Sequence, residues 1–480
     1  MPSLKKNIFY SALLTVANYV FPLITYPYVS RVLGVTNLGV CNFVDSIINY
    51  FLVFSTMGIS VLGVREIAAS RDNREERNRV FSNLLTLNAA TTFLAAIVLI
   101  VSIYAVPTLA PYRRLLWIGV AKLLANSLFL EWLYRGVEEF RYITNRSILI
   151  KLLYVVLVFV FVRKEDDYWV YFLLLTLTAV LNALVNVIHS RHFVHLTFRG
   201  LRPAPYVKPY LILGVNYVLT SMYTSFNVIY LGFVHDSEQV GYYTSATKIL
   251  SVITALLTAC STVLLPRMSA VLSEGKEEEF KSFVNKTLNI LFLIGVPLVL
   301  LIEMSAPDLI RVFSGAGYEG SIIPLMTIAP LVLIVGLEEI LIIQVMMPRK
   351  MDHRIFLNSV CGAVVGVSLN LLLVRSMKAE GSAVVWLCSE MAVLLSASFA
   401  VFSGSWQEFP GRKILRIILL YLPLLIVLYI LRYLPVPYSI IRFAVSGSVA
   451  AIYTFVIACF VTKDPVILDL FRQLKFWKAK

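Results

Sequence analysis

Apolar runs of about twenty residues recur along the whole chain. Each is long enough to cross the ~30 Å hydrocarbon layer of a bilayer as a single helix. No other feature narrows the fold so far. Backbone immersed in lipid must satisfy its own polar groups, which leaves only helices and closed barrels. The short alternating segments of a barrel are absent from the sequence. The composition agrees, with 59% hydrophobic and 15% charged residues, against roughly half and a quarter in soluble domains. The expectation is an all-α polytopic membrane protein with about fourteen transmembrane helices. They are placed at 8–30, 40–63, 80–106, 114–134, 144–162, 168–189, 209–234, 240–264, 284–305, 322–346, 356–374, 382–402, 415–433 and 441–461.

An even number of crossings puts both termini on one side. Twenty-nine of the 42 lysines and arginines lie in the tails, loops and helix ends on that side, and ten on the other. Positive residues stay cytoplasmic, so both termini are expected inside. The net charge of +14 is then a topology signal, with no nucleic acid implied. The first apolar run follows Lys5 and Lys6 without a small-residue cleavage site, which predicts an uncleaved first helix. All five cysteines sit inside apolar runs with no CxxC or Cys/His spacing, so neither a metal nor another cofactor is expected. Every connecting loop is short, too short for a soluble catalytic domain. No catalytic residue is nominated, and the chain is not expected to be an enzyme.

The chain repeats itself. A shift of 202 residues lays Gly39 on Gly241, Arg65 on Arg267, Glu75 on Glu277 and Glu76 on Glu278; a shift of 213 lays Arg141 on Arg354 and Asn145 on Asn358. Six helices separate the copies, so both enter the membrane in the same sense, as a parallel repeat. The expected division is a six-helix lobe at 1–200, a second at 201–403, and helices thirteen and fourteen with a cytoplasmic tail at 404–480.

Within the second span the chain reads GVCNFVDSIINYF, and Asn42, Asp45, Ser46 and Asn49 share one helix face. Their repeat counterparts are Thr244, Thr247, Lys248 and Ser251. The seventh span carries another stripe of Asn216, Thr220, Tyr223 and Asn227, echoed in the first by Asn18 and Thr25. An ionisable group at mid-bilayer costs at least ~2.5–3.5 kcal/mol, so it normally faces a partner or water. Asparagine, threonine and serine alone would serve to tie helices together. Asp45 and Lys248 tip the reading toward a hydrated cavity, although direct pairing of those two suits a gate or a lock equally well. Lys122 lies too deep in the fourth span to snorkel and joins the cavity candidates, whereas Glu131 and Arg135 form a structural i,i+4 pair. Glu338, Glu339 and Glu390 lie deep in the tenth and twelfth spans and join Asp45 as candidates for ion coupling.

"PLITYPYVSRVLG" at 22–34, "GVREIAASRDN" at 63–73 and "EWLYRGVEEFRYI" at 131–143 resemble the bacterial oligosaccharide flippases of O-antigen and capsule assembly. Those proteins belong to the multidrug, oligosaccharidyl-lipid and polysaccharide exporter superfamily. The resemblance covers the chain in length, order and repeat, and is most specific in its first third. Glu131 and Arg135 depart from the Asp and Gln common at those places. The resemblance implies translocation of a polyprenyl-diphosphate-linked oligosaccharide from the inner to the outer leaflet of the bacterial inner membrane by alternating access. It implies membrane lipids, a polysaccharide polymerase and glycosyltransferases as partners. On that reading Arg31, Lys122 and Lys248 attract the diphosphate, while Asn42, Asn49, Asn216 and Asn227 bond sugar hydroxyls.

Three other readings stay open. A lipid II exporter would need the same machinery. A drug exporter of the same superfamily would show an acidic or apolar pocket and usually twelve spans. A membrane-embedded polymerase or ligase would need a sizeable outer loop and catalytic side chains, and the five histidines form no deep cluster.

Overall fold

The structure, a computed structural model, describes residues 4–197, 200–403, 410–433 and 439–462. Among these residues every regular element is a helix. Among the described residues ten helical stretches are long and apolar enough to cross a membrane, against fourteen expected spans. Two of the ten, Phe9–Ala69 and Asp352–Phe402, run to 61 and 51 residues. At ~1.5 Å per residue either far exceeds one crossing. Each is broken between expected spans, at Gly34 (φ 70°) and Lys378 (φ 56°). The left-handed conformation at Gly34 costs a glycine nothing sterically, so the break is written into "SRVLG". The expected crossings at 209–234 and 240–264 fall on Ala204–Thr224, Phe226–Val234 and Ser237–Ser273. These are helical, and they are not among the ten. The surface carries large apolar side chains such as Phe93 (65% exposed), Leu372 (70%) and Phe399 (70%), as lipid-facing helices require.

Two compact units account for the chain: Met1–Thr244 with Gly362–Trp386, and Ser245–Cys361 with Leu387–Lys480. In the first, a core of Leu62, Ile67, Phe81, Leu84, Trp132, Leu133 and Tyr134 joins helices Ile59–Ala69, Arg74–Ala105 and Glu131–Gly136. Phe81 stacks on Trp132 with ring centroids 5.6 Å apart, and Arg71 bridges Glu138 at 2.9 Å. The "GVREIAASRDN" and "EWLYRGVEEFRYI" segments therefore hold each other. Helix Arg74–Ala105 begins where it does because the Asn73 side chain accepts from the backbone N–H groups of Glu75 and Glu76 at 3.1 and 3.2 Å, with both acids in the positive first turn.

The 202-residue repeat has a physical counterpart in this unit. A Cβ on Gly39 would stand 1.8 Å from the Ser237 carbonyl oxygen and 2.9 Å from the Gly241 nitrogen; one on Gly241 would stand 2.3 Å from the Val35 carbonyl oxygen. Asn42 in turn donates to Thr244 Oγ1 at 2.8 Å. Both pairs join a residue to its own repeat counterpart, as a local two-fold axis between helices produces. Gly39→Val, which drives a side chain into backbone, is expected to lower the thermal midpoint by roughly 3–10 °C. An unchanged melting curve for the purified variant would show that this approach is loose.

In the second unit, helix Glu277–Phe313 carries most of the packing. A core of Phe292, Leu293, Val296, Ile417, Tyr421, Leu424, Leu428 and Ala450 fastens helices Gly411–Leu420, Leu422–Arg432 and Ser439–Val456 to it. Tyr421 donates to the Leu293 carbonyl at 2.7 Å, and Tyr453 to the Leu420 carbonyl at 2.8 Å. Arg442 grips Asp308 with two bonds of 2.7 Å each.

Candidate functional site

Asp45 and Asn49 lie one turn apart on helix Leu4–Thr56, and Lys122 faces them from helix Arg113–Asn126. Lys122 Nζ sits 2.5 Å from Asp45 Oδ1 and donates to Asn49 Oδ1 at 3.3 Å; Asn49 Nδ2 donates to Asp45 Oδ2 at 2.9 Å. Three side chains thus close a ring of polar contacts inside an apolar layer. Unpaired, either charge would cost several kcal/mol there; paired and bonded, they tolerate the site. Neither is sealed, since 17% of the Lys122 side chain and 29% of that of Asp45 remain accessible. The arrangement holds a cation neutralised by its own carboxylate.

Sequence reasoning set Asp45 and Lys248 beside a cavity, with direct pairing of the two as an alternative. The structure gives Asp45 a cation within its own unit, while Lys248 is exposed and belongs to the other. Lys122, expected to attract an anion, is already committed. Arg31 is exposed and donates to the Pro27 carbonyl at 2.5 Å. Asn42 spends its amide on Thr244. Asn227 is fully buried, accepts from Asn370 at 2.5 Å and faces the Tyr243 hydroxyl at 3.4 Å, so it ties helices together. The side chain of Asn216 lies outside the described residues.

The deep acids fall into the second unit. Glu338 and Glu390, 7% and 6% exposed, interact with each other. Glu338 Oε1 has no partner among the described residues. Glu339 instead accepts from Thr258 at 2.8 Å. The helix then widens into a π turn over Ile340–Met346, a distortion common at working sites. Its Gln344 donates to Ser261 at 3.2 Å.

Two features escaped the sequence. Glu131 does reach Arg135, at 3.3 Å, but also binds Arg146 at 3.2 Å. Arg146 is 5% exposed, donates to Asn186 and Ser147, and stands 5.4 Å from the Phe129 ring. A lone arginine fifteen residues from its acid leaves no periodic signal. The Asp308–Arg442 pair spans 134 residues and leaves none either.

The family model described as "Polysaccharide biosynthesis protein" matches residues 4–272, more than half of the chain. The chain belongs to that family. The model named MatE also matches, over residues 213–344. Two curated relatives share the name "Putative O-antigen transporter". One, from Escherichia coli (strain K12), is 26% identical over 401 residues, covering 82% of this chain and 95% of its own. The other, from Shigella dysenteriae, is 23% identical over 397 residues, covering 82% and 98%. Among solved structures the fold is similar to "Lipid II flippase MurJ, inward closed conformation", with a TM-score of 0.81 at 14% identity, covering 96% of this chain and 100% of that one. It is also similar to an inward-facing multidrug MATE transporter of the MOP superfamily, at 0.60 and 15% identity over 84% and 95%. This family member is thus a multi-pass membrane protein with the two-lobed fold that MurJ and the MATE transporters share.

Proposed function

We propose that the protein flips a polyprenyl-diphosphate-linked oligosaccharide from the inner to the outer leaflet of the bacterial inner membrane by alternating access. It is a transporter and no enzyme, as its named relatives are. The observation that carries the reading is the half-open Asp45–Lys122–Asn49 ring within membrane-spanning helices. A diphosphate bearing sugars cannot cross hydrocarbon unaided, since each unpaired polar group costs several kcal/mol and a charge far more. The ring offers a cation to phosphate oxygens and amides to sugar hydroxyls, while the polyprenyl tail stays in lipid. Arg31, exposed in the same unit, supplies a further cation, and Lys248 is an exposed basic candidate in the other unit. Partners in this scheme are membrane lipids, a polysaccharide polymerase and glycosyltransferases, with both termini cytoplasmic and lobes at 1–200 and 201–403.

The test is the leaflet that holds the lipid-linked repeat unit when the gene is deleted. Units trapped inside, and released outward by the wild-type gene, are expected. Units that reach the outer leaflet but stay unpolymerised would reject transport and favour an embedded polymerase or ligase. Lipid II as cargo predicts instead that the gene replaces a lipid II exporter in a cell that lacks one.

Two sources of direction are open to such a machine. Carrying two negative charges out of an inside-negative cell gains ~2.3 kcal/mol per charge per 100 mV. Proton exchange at the buried Glu338 and Glu390 offers antiport instead. Glu390→Gln keeps shape and hydrogen bonding but removes one ionisable group. If protons are coupled there, flipping by Glu390→Gln in vesicles loses its response to an imposed pH gradient while still responding to the potential. A response to pH identical to wild type would remove this pair from the coupling path.

A further inference from the structure

A cavity of about 830 Å³ opens in the second unit between the start of helix Glu277–Phe313, helix Gly411–Leu420 and residues 461–462. Its size is that of a small-molecule site. Lys281, Lys286, Lys413 and Arg416 line it, against one carboxylate, Glu278. That acid is 89% exposed and reaches only Lys281, at 3.0 Å. Helices this rich in lipid-facing leucine and isoleucine do not gather four like charges without cost, and the repulsion calls for a counter-charge. The chain supplies little of it. The tail from 463 onward carries Lys463, Arg472, Lys475, Lys478 and Lys480 against Asp464 and Asp469, so it is itself basic.

A second observation concerns hydrogen bonding. Asn285 and Asn289 line the same cavity, and each has a buried side-chain oxygen without a partner among the described residues. Asn289 is only 8% exposed. A buried, unmet amide oxygen is costly in a folded protein and asks for a donor. Phosphate oxygens alone cannot provide one; hydroxyl groups can. Farther along the same helices the wall turns apolar, with Leu293, Ile417 and Leu420. The cavity therefore presents cations at its mouth, hydroxyl acceptors beside them and hydrocarbon beyond. A basic pocket between membrane helices at the cytoplasmic face, where the charge bias places these loops, is suited to a lipid headgroup.

We infer that this cavity binds the hydroxylated phosphate headgroup of an anionic membrane lipid, at a place separate from the Asp45–Lys122–Asn49 ring. The inference stands without the transport reading. Two lipids share the required chemistry: a glycerophospholipid whose headgroup carries free hydroxyls, and a polyprenyl diphosphate sugar.

The experiment uses the full-length purified protein in nanodiscs of phosphatidylcholine. Phosphatidylglycerol, a polyprenyl diphosphate sugar and soluble glycerol phosphate are titrated separately, with bound lipid read by native mass spectrometry. At least one of the two lipids is expected to bind over phosphatidylcholine, and binding should weaken as salt rises. Preference for phosphatidylglycerol assigns a bulk-lipid site; preference for the diphosphate sugar assigns a substrate vestibule. The double variant K413Q/R416Q is expected to cut that affinity tenfold or more without changing the melting temperature. Glu278→Gln, an exposed change that frees Lys281, is expected to raise it severalfold, and Asn289→Leu to lower it for hydroxyl-bearing headgroups only. Equal binding by K413Q/R416Q and wild type, or no preference over phosphatidylcholine, would overturn the inference. So would glycerol phosphate binding as tightly as the lipids, since the cavity would then read a free anion.

Discussion

Lys122→Met is expected to abolish transport and to lower membrane abundance, measured as surface polymer and protein level in a deletion strain carrying the variant. The change takes the cation from Asp45 in an apolar layer, and removing one partner of a buried pair costs about 3–5 kcal/mol. Asp45→Asn strands the lysine instead and is expected to have a similar effect. The informative variant is the double change D45N/K122M. It removes both charges, and with them the desolvation penalty that made each single change harmful, so folding and membrane abundance should return. If the ring handles an anionic headgroup, transport should not return with them. Recovery of both would mark Asp45–Lys122 as a structural tie, and the proposed path would have to run elsewhere.

Arg442→Ala is expected to loosen the last two helices from the second unit. The Asp308 carboxylate is 5% exposed and receives both of its cationic bonds, at 2.7 Å each, from the one guanidinium. A bidentate pair of this geometry is strong and directional. Its loss leaves a buried charge uncompensated, at about 3–5 kcal/mol, or a fall of roughly 6–20 °C in the thermal midpoint. Asp308→Asn keeps an acceptor and should fall less. D308L/R442L, which replaces the pair by apolar volume, should stay close to wild type. Thermal unfolding of the purified variants separates these outcomes; a wild-type midpoint for Arg442→Ala would mean that Tyr421, Tyr453 and the surrounding apolar core hold those helices alone.

How much of this was legible beforehand depends on the range of the interaction involved. Helix class, the breaks near Gly34 and Lys378 and the i,i+4 pair Glu131–Arg135 are local. Each depends on residues within one or two turns, and the sequence states them. The repeat was legible too, because Gly39 and Asn42 contact their own counterparts 202 positions on, so a spacing in sequence became a contact in space. One joint was not legible: the expected span at 209–234 is divided at Ser225 into helices Ala204–Thr224 and Phe226–Val234, inside a run whose apolar pattern is continuous.

The site itself was half legible. Periodicity put Asp45 and Asn49 on one face and marked Lys122 as too deep to be idle, yet the one partner it suggested for Asp45 was Lys248. Only packing of helix Arg113–Asn126 against helix Leu4–Thr56 brought Lys122 to it. The same holds for Asn227, whose polar stripe suggested a wet wall until Asn370, 143 residues away, occupied its amide. Arg146, the Glu338–Glu390 pair of acids, the Asp308–Arg442 clasp and the basic cavity at Lys413 and Arg416 all arise between helices distant along the chain. The sequence by itself determined that this chain must be a bundle of membrane helices with charges in it, because burial in lipid acts on each segment alone. Which charges meet was decided by tertiary structure, because a side chain finds its partner only once the helices have packed.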